Sequence, residues 1–338
     1  MKVKNTLLIA VVTAGLMMTG CSGVVESMNE AMDPSDSSEI HLVIPSGAST
    51  TRIAELLEEE GLIRNATMFK VLSKELGADG KMQAGEYIVS KSMSSEGMIN
   101  KFISGDVYIE TFMFTIPEGF ERRQIIEKLV SEGLGSEETF NALLADNAFE
   151  YRFLEDIDKA TNLEGFLFPE TYEMKAGSNE EAIVNKMLSQ FDVIFKDEYY
   201  ERANELGMSI NEVITLASVI EREAQLDSER ALVSGVFHNR IQKGWKLQSC
   251  ATVQYILGER KEVLSYDDIA IKSPFNTYIN AGLPPSPIAS PGEKSIIAAL
   301  YPEETEYMFF VASGDNNGSH IFSKTLAEHE RAIKSRKK

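Results

Sequence analysis

A segment of this chain occurs twice, and this repeat constrains the fold more than any other feature of the sequence. One copy begins at residues 44–47 (IPSG) and the other at residues 116–119 (IPEG), an offset of 72 residues that becomes 71 after one deletion. In each copy an extended run meets a Pro/Gly turn, and two helices follow, the first of them amphipathic and ended by a glycine. We expect a glycine-led strand to close each copy, at residues 85–89 and 165–168. The repeat therefore predicts an α+β fold that uses strand, helix, helix and strand twice.

This order of elements resembles that of a LysM module, which implies affinity for glycans. We expect residues 40–107 to form a LysM-like subdomain. Residues 108–160 would be a second LysM-like half, absorbed into a larger region that ends at residue 335. The alternative is two small α+β units with no glycan affinity of their own, and the sequence leaves both open.

The N-terminus has the anatomy of a secretory signal. Residues 1–5 carry two lysines, an apolar stretch follows from Thr6 to Thr19, and Gly20-Cys21 comes next. The apolar stretch is shorter than the roughly 20 residues that a membrane-spanning helix needs. Residues 18–21 (MTGC) resemble a bacterial lipobox, so we expect residues 1–20 to be removed and Cys21 to carry lipid. The alternative is an uncleaved membrane anchor. Either would hold the protein on the extracytoplasmic face of the cell membrane.

Composition after the signal restricts both the tether and the partners. Residues 21–39 mix Ser, Asp, Glu and Pro without apolar periodicity, which predicts a disordered tether. If Cys21 carries lipid, Cys250 has no cysteine left to pair with, so no intramolecular disulfide is expected. Without the two signal lysines the chain has 31 basic and 52 acidic side chains, a net charge of −21. Such a surface repels nucleic acid.

A capping box predicts a helix in the second half of the chain. Ser209 and Glu212 have the spacing of this motif, so the helix should begin at Ile210 and run to about Ala224. At helical spacing the apolar residues form a single stripe, and Glu221 lies on it. The stripe consists of Ile210, Val213, Ile214, Ala217, Ile220 and Ala224, and the residues expected on the solvated side are Asn211, Thr215, Ser218 and Arg222.

A carboxyl group on a core-facing stripe requires an explanation. Desolvation disfavours its charged form, and a carboxylic acid that keeps its proton is what the cleavage of a glycosidic bond requires. The alternative is a structural ion pair between Glu221 and an arginine such as Arg240. Helix geometry therefore nominates Glu221 as a catalytic residue without naming the reaction.

Other catalytic classes lack their signatures. The four histidines, His41, His238, His320 and His329, are scattered without the spacing of metal ligands, which argues against zinc. The chain contains no Gly-x-Ser-x-Gly motif, which argues against a serine hydrolase of that type, and Ser218 is interpreted as a helix-surface residue.

A series of short motifs in fixed order resembles the YceG-like family of endolytic murein transglycosylases, over about residues 40–335. These motifs are residues 163–172 (LEGFLFPETY), 217–223 (ASVIERE), 237–241 (FHNRI), 247–249 (LQS), 252–255 (TVQY), 276–278 (NTY) and 282–288 (GLPPSPI). The resemblance implies that a mixed α/β catalytic domain, with its core in residues 161–335, follows the LysM-like subdomain.

The resemblance also implies the chemistry. Glu221 would be the catalytic acid and base of a lytic cleavage between N-acetylmuramic acid and N-acetylglucosamine that leaves 1,6-anhydro ends, with no metal or organic cofactor. The substrate would be nascent peptidoglycan, and penicillin-binding proteins and the elongation or division machinery would be partners. Two positions depart from the family pattern: Glu170 stands where Asp is usual, and Cys250-Ala251 replace Asp-Pro.

Eight further residues are predicted to bind the sugar strand because they are polar and lie in or near the family motifs. They are Glu164, Asn239, Arg240, Gln248, Asn276, Thr277, Tyr278 and His320. Arg240 is also a candidate to orient the carboxylate of Glu221. The alternative is that these side chains support turns, strands and loops.

A non-enzymatic function competes with this one. A lipoprotein that binds peptidoglycan through LysM-like units and scaffolds cell-wall synthesis would share the N-terminus and the repeat. Such a protein has no use for a half-buried acid, so Glu221→Gln would leave its binding intact, whereas the same change would abolish cleavage by an enzyme.

Overall fold

The computed structural model describes residues 29–155, 157 and 163–336, and these residues form two compact units that divide between Glu110 and Thr111. Helices and small antiparallel sheets occur in both units, so the predicted α+β class is confirmed. In this part of the chain, no helix combines the length and the apolar character needed to cross a bilayer. Residues 1–28, including Cys21, lie outside the described residues.

The first unit is a two-stranded sheet packed with three helices. Its elements are β1 (Ile40–Ile44), α1 (Thr50–Glu59), α2 (Ala66–Glu75), β2 (Gly85–Val89) and α3 (Ser95–Ser104). Strands β1 and β2 are antiparallel neighbours, with Ile40 opposite Val89. Alternate strand residues such as Leu42 and Tyr87 point into a core shared with one face of each helix. The strand, two helices and returning strand expected from the first copy of the repeat are present.

The end of the expected tether contacts this unit. The Asn29 side chain donates a hydrogen bond to Glu96, with 2.9 Å between the two atoms. The amide of Asp33 donates to the carbonyl oxygen of Lys91 over 3.0 Å. The described part of residues 21–39 therefore differs from the expectation of disorder. It lacks apolar periodicity, but hydrogen bonds from its side chains and backbone hold it against the rest of the first unit.

The second unit is mostly helical. Its strands are β3 (Thr111–Thr115), β4 (Thr171–Lys175), β5 (Phe309–Ala312) and β6 (His320–Ser323), and its first helices are α4 (Arg122–Ser131), α5 (Glu137–Asp146), α6 (Glu180–Ile194) and α7 (Asp197–Leu206). The remaining helices are α8 (Ile210–Glu223), α9 (Asp227–Gln242), α10 (Cys250–Leu257), α11 (Tyr266–Ile269), α12 (Glu293–Leu300) and α13 (Leu326–Ser335). Strand β3 pairs with β4 and β5 with β6, both antiparallel.

Helix α8 lies at the centre of this unit. It begins with the predicted capping box, because Ser209 accepts from the amide of Glu212 and the Glu212 side chain accepts from the amide of Ser209. Helices α7, α9, α10 and α12 pack around it, so every side chain from Val213 to Ile220 is buried. The unit positions the last turn of α8, where Glu221 lies.

The strand predicted at residues 165–168 is wrong. These residues form a buried turn, and the strand that pairs with β3 begins later, at Thr171. Gly165 has a φ of +87°, and a β-carbon there would lie 2.4 Å from Pro287. The turn therefore needs glycine at this position. This glycine belongs to a tight turn and does not mark the start of a strand.

Candidate active site

Glu221 lies in the wall of a groove of about 520 Å³ in the second unit. The last turn of α8, the start of α9 and the loop between β3 and α4 line the groove. The side chain of Glu221 is 8% exposed, so the prediction that it faces inward from the apolar stripe is confirmed. The carboxyl group of Glu221 is therefore almost fully buried, yet it borders a space that a solute can enter.

One oxygen of Glu221 is fixed by three donors. Oε2 accepts from Ser295 Oγ at 2.8 Å, from the amide of Gly292 at 3.2 Å and from Arg230 Nη1 at 3.2 Å. No hydrogen bond in the described residues ends on Oε1. The carboxyl group is therefore held through Oε2, and Oε1 remains available for a group that enters the groove.

The donors come from the first turns of two helices. Gly292 is the N-cap of α12, Ser295 lies in the first turn of that helix, and Arg230 lies in the first turn of α9. Backbone N–H groups at a helix start have no partner inside the helix, and the helix dipole favours negative charge there. This arrangement suits a carboxylate, which explains why a charged group is tolerated in this wall.

The arginine that contacts Glu221 is Arg230, and the prediction of Arg240 is wrong. Arg240 Nε donates to the carbonyl oxygen of Met308 at 2.7 Å and Nη1 to that of Leu247 at 2.6 Å, so its guanidinium is bonded elsewhere. Arg230 is 8% exposed and also donates through Nε to Asp227 at 3.1 Å. One sequence feature points to Arg230: this residue lies at the start of the helix that follows Glu221.

The loop between β3 and α4 forms the part of the wall next to Glu221. Gly119 has a φ of +74°, and a β-carbon there would lie 3.5 Å from Arg222 Cδ and 3.7 Å from Glu221 Cγ. The Arg222 guanidinium donates to the carbonyl oxygen of Gly119 at 3.0 Å. Glu118 precedes this glycine and also lines the groove. The sequence does not point to Glu118, because the repeat motif at residues 116–119 indicates only a turn.

Glu118 is the second carboxyl group beside Glu221. Burial raises the pKa of Glu118, and the charge of Glu221 raises it further, while Arg230 and Lys294 lower it. Two carboxyl groups that share a site cannot both ionise without repulsion. The groove therefore holds a pair of acids with different surroundings, one anchored by hydrogen bonds and one not.

Glu164 lies behind the wall of the groove and does not line it. It is 4% exposed, accepts from the amide of Arg122 at 2.8 Å and accepts from the Tyr255 hydroxyl at 3.2 Å. Burial raises the pKa of its carboxyl group to about 7. Because Arg122 is the first residue of α4, Glu164 fixes the start of the helix that follows the groove loop.

A second cavity of about 480 Å³ collects four of the predicted sugar-binding residues. Glu223 lines this cavity, two residues after Glu221, and Glu221 does not. Aromatic rings of β5 complete the wall. The predicted residues found here are Arg240, Gln248, Tyr278 and His320. The structure therefore brings these four together with Glu223, apart from the groove that contains Glu221.

The other predicted polar residues bind backbone groups inside the unit. The Asn239 side chain donates to the carbonyl oxygens of Thr305 and Tyr307. Asn276 and Thr277 are 0% and 1% exposed. Asn276 donates to two backbone carbonyls, and Thr277 accepts from the amide of Ser249. Asn276 and Thr277 are buried and have no face left for a sugar, so they support the loops, whereas Asn239 is half-buried.

The prediction of a solvated side on α8 is wrong at two positions. Ser218 and Thr215 are both 0% exposed. Ser218 Oγ donates to the carbonyl oxygen of Thr215 at 2.7 Å and accepts from the amide of Ile288 at 3.0 Å. A stripe pattern assumes one solvated side, whereas α8 is surrounded by other helices.

Known proteins resemble this chain over most of its length. It is 34% identical over 319 residues to the endolytic murein transglycosylase of Bacillus subtilis (strain 168), covering 91% of this chain and 87% of that protein. A protein of the same name from Streptococcus pneumoniae serotype 2 (strain D39 / NCTC 7466) is 29% identical over 329 residues, and this match covers 89% of the chain and 59% of the longer pneumococcal protein. The crystal structure of a yceG-like protein from Listeria monocytogenes aligns with a TM-score of 0.55 and 33% identity, covering 87% of this chain and 99% of that one.

The profile of one family matches as well. It is described as the YceG-like family, and the match extends over residues 42–335, which includes both units and the groove with Glu221. Together with the identity to the Bacillus protein, this match shows that the chain belongs to the YceG-like family.

Proposed function

We propose that this chain is an endolytic murein transglycosylase that cuts glycan strands in the groove beside Glu221. The observation that carries the proposal is the state of that side chain: Oε2 is held by Arg230, Gly292 and Ser295, and Oε1 is left to meet a substrate. The Bacillus and pneumococcal relatives named above bear this activity in their names, and the matches to them cover 91% and 89% of this chain.

The geometry suits proton transfer to a leaving oxygen. A general acid must lie within hydrogen-bonding distance of the atom that it protonates and must be held in one orientation. The three donors on Oε2 fix the carboxyl plane, so a proton that Glu221 transfers is carried on Oε1. The acceptor would be the oxygen that links N-acetylmuramic acid to N-acetylglucosamine.

The remaining chemistry lies within the substrate. As the C1–O bond breaks, positive charge develops at C1 of the muramic acid, and the C6 hydroxyl of the same sugar closes on C1. The product is a 1,6-anhydro end, and one proton leaves the C6 hydroxyl. Because the attacking group is already attached to the ring, proximity replaces a bound water molecule.

Digestion of purified murein tests this function. Wild-type protein should release fragments with anhydro ends, and Glu221→Gln should release none above background. Glu201→Gln is a matched control, because Glu201 is exposed on α7 and lies away from the groove. Binding without cleavage by the wild-type protein would favour the scaffolding lipoprotein instead.

We further propose that the first unit is a LysM-like subdomain. The order β1, α1, α2, β2 and the antiparallel pairing of its strands support this assignment. The alternative is an α+β unit without glycan affinity. Binding of soluble murein strands by wild-type protein and by a variant altered in the loop at residues 45–50 distinguishes the two.

The N-terminal sequence supports a proposed attachment to the extracytoplasmic face of the cell membrane, by lipid on Cys21. Penicillin-binding proteins and the elongation or division machinery are the proposed partners, since a membrane-held enzyme would meet strands as they are made. Mass spectrometry of the mature N-terminal peptide tests the attachment, and crosslinking in cells tests the partners.

A further inference from the structure

Glu118 is a carboxylate in the groove that no other feature of the structure uses. It is exposed, and within the described ranges of the chain no hydrogen bond or ion pair ends on it. Its Oε1 lies 2.0 Å from where a β-carbon of Gly292 would be, and the amide of Gly292 lies 3.2 Å from Glu221 Oε2. Standard bond lengths then place the two carboxyl groups within roughly 8 Å of each other.

The proposed reaction needs two proton transfers on the same side of the sugar. The leaving oxygen must gain a proton, and the C6 hydroxyl must lose one. Both oxygens lie on the β face of the muramic ring, because the new C1–O6 bond replaces the β-linked bond that breaks. Two acids on one wall of a groove meet this requirement, whereas two acids on opposite sides of the ring would serve attack by water.

We propose that Glu118 is a second catalytic residue, which takes the proton of the C6 hydroxyl while Glu221 protonates the leaving oxygen. The C1–O bond to N-acetylglucosamine breaks, and its oxygen gains the proton of Glu221. The O6–C1 bond forms, and the C6 proton passes to Glu118. The site is reset when Glu118 releases its proton to water and Glu221 regains one. This assignment depends on the proposed function and divides between two residues a role that the family resemblance implies for Glu221 alone.

The surroundings of Glu118 fit a base. Desolvation in the groove raises its pKa even when Glu221 carries its proton, so the ionised form of Glu118 binds a proton more strongly than an ordinary glutamate. Asp227 acts in the same direction, and Arg230 and Lys294 oppose it. Since the side chain remains open to solvent, water can remove the proton after each turnover.

The test separates the two proton transfers by changing the leaving group. Two substrates are compared: murein strands, and a murein oligosaccharide whose terminal muramic acid carries a β-linked 4-methylumbelliferyl group. The umbelliferyl phenol leaves without needing a proton, so only the base is required with it. Released umbelliferone is measured by fluorescence, and anhydro ends are measured by mass spectrometry.

We expect Glu118→Gln to lower kcat by at least about 30-fold on both substrates, with KM changed by less than about 3-fold. Glu221→Gln should be inactive on murein strands and recover activity on the umbelliferyl substrate. Glu201→Gln is the matched control, because Glu201 is exposed on α7 and does not line the groove. Melting temperatures of all variants should match that of the wild type.

Three results would overturn the assignment. A smaller loss for Glu118→Gln on murein shows that Glu118 is not the base. Recovery of Glu118→Gln on the umbelliferyl substrate shows that it serves the leaving group. Failure of that substrate to restore Glu221→Gln shows that Glu221 performs both transfers. If wild-type protein forms no anhydro ends, the proposed function itself fails, and this outcome is seen before any variant is compared.

Discussion

Glu164→Gln tests the account of the buried carboxyl group behind the groove. Glu164 is 4% exposed, and burial raises its pKa to about 7 despite the hydrogen bond from the amide of Arg122. Glutamine has the same shape, can accept from the same amide through its oxygen and can meet the Tyr255 hydroxyl through its amide group. The substitution therefore removes the titration and leaves the packing in place.

The sign and size of the effect follow from the two pKa values. The unfolded chain loses this proton near 4.5, whereas the folded protein keeps it up to about 7. Between these values the folded state binds more protons than the unfolded state, so the free energy of unfolding falls as the pH rises. At about pH 8 the contribution has fallen by about 3 kcal/mol relative to about pH 4. Glu164→Gln should lack this decrease.

Urea unfolding of the full chain across this pH range measures the difference. We expect the gap in unfolding free energy between Glu164→Gln and wild type to grow by about 3 kcal/mol from acid to neutral pH, in favour of the variant. Other groups titrate equally in both proteins and cancel. Glu201→Gln should show no such change. Parallel pH profiles for wild type and Glu164→Gln would refute the reasoning.

Three further substitutions test contacts in the second unit. Arg230→Met should lower the unfolding free energy by about 3–5 kcal/mol, because it leaves the Glu221 carboxylate buried without its cation. The loss should be clearly smaller when Glu221→Gln is also present. Equal losses in both backgrounds would contradict the pairing of Arg230 with Glu221. Gly292→Ala should reduce strand cleavage by at least about 10-fold with little change in melting temperature, because a β-carbon there lies 2.0 Å from Glu118 Oε1. The control Gly97→Ala should leave the cleavage rate unchanged. An unchanged rate for Gly292→Ala would argue against the placement of Glu118. Gly165→Ala should destabilise the protein by about 1–3 kcal/mol in urea unfolding, because of its φ of +87° and the contact with Pro287, and wild-type stability would show that the turn tolerates a side chain.

Local signals in the sequence were sufficient for the helix that carries Glu221. A capping box involves residues three apart, so Ser209 and Glu212 fix the start of α8 without help from the rest of the fold. Helical spacing also placed Glu221 toward the interior correctly. The same spacing misplaced Ser218, because the number of elements packed around a helix is a tertiary property that one stripe does not record.

The partners of Glu221 could not be predicted in this way. Gly292 and Ser295 are 71 and 74 residues away along the chain, and they meet Glu221 only because α12 packs against α8. Arg230 and Arg240 both lie on α9, and only the position of that helix determines which one contacts Glu221. Glu118 was hidden for a related reason: a Pro/Gly turn indicates a change of direction and does not show what the turn approaches.

Digestion of murein in water enriched in oxygen-18 tests the central claim most directly. If Glu221 promotes closure by the muramic C6 hydroxyl, the wild-type protein releases ends that are lighter by one water and carry no label, and Glu221→Gln releases none. Labelled reducing ends would show attack by water and make the protein a hydrolase, and unchanged release by Glu221→Gln would remove that residue from the reaction.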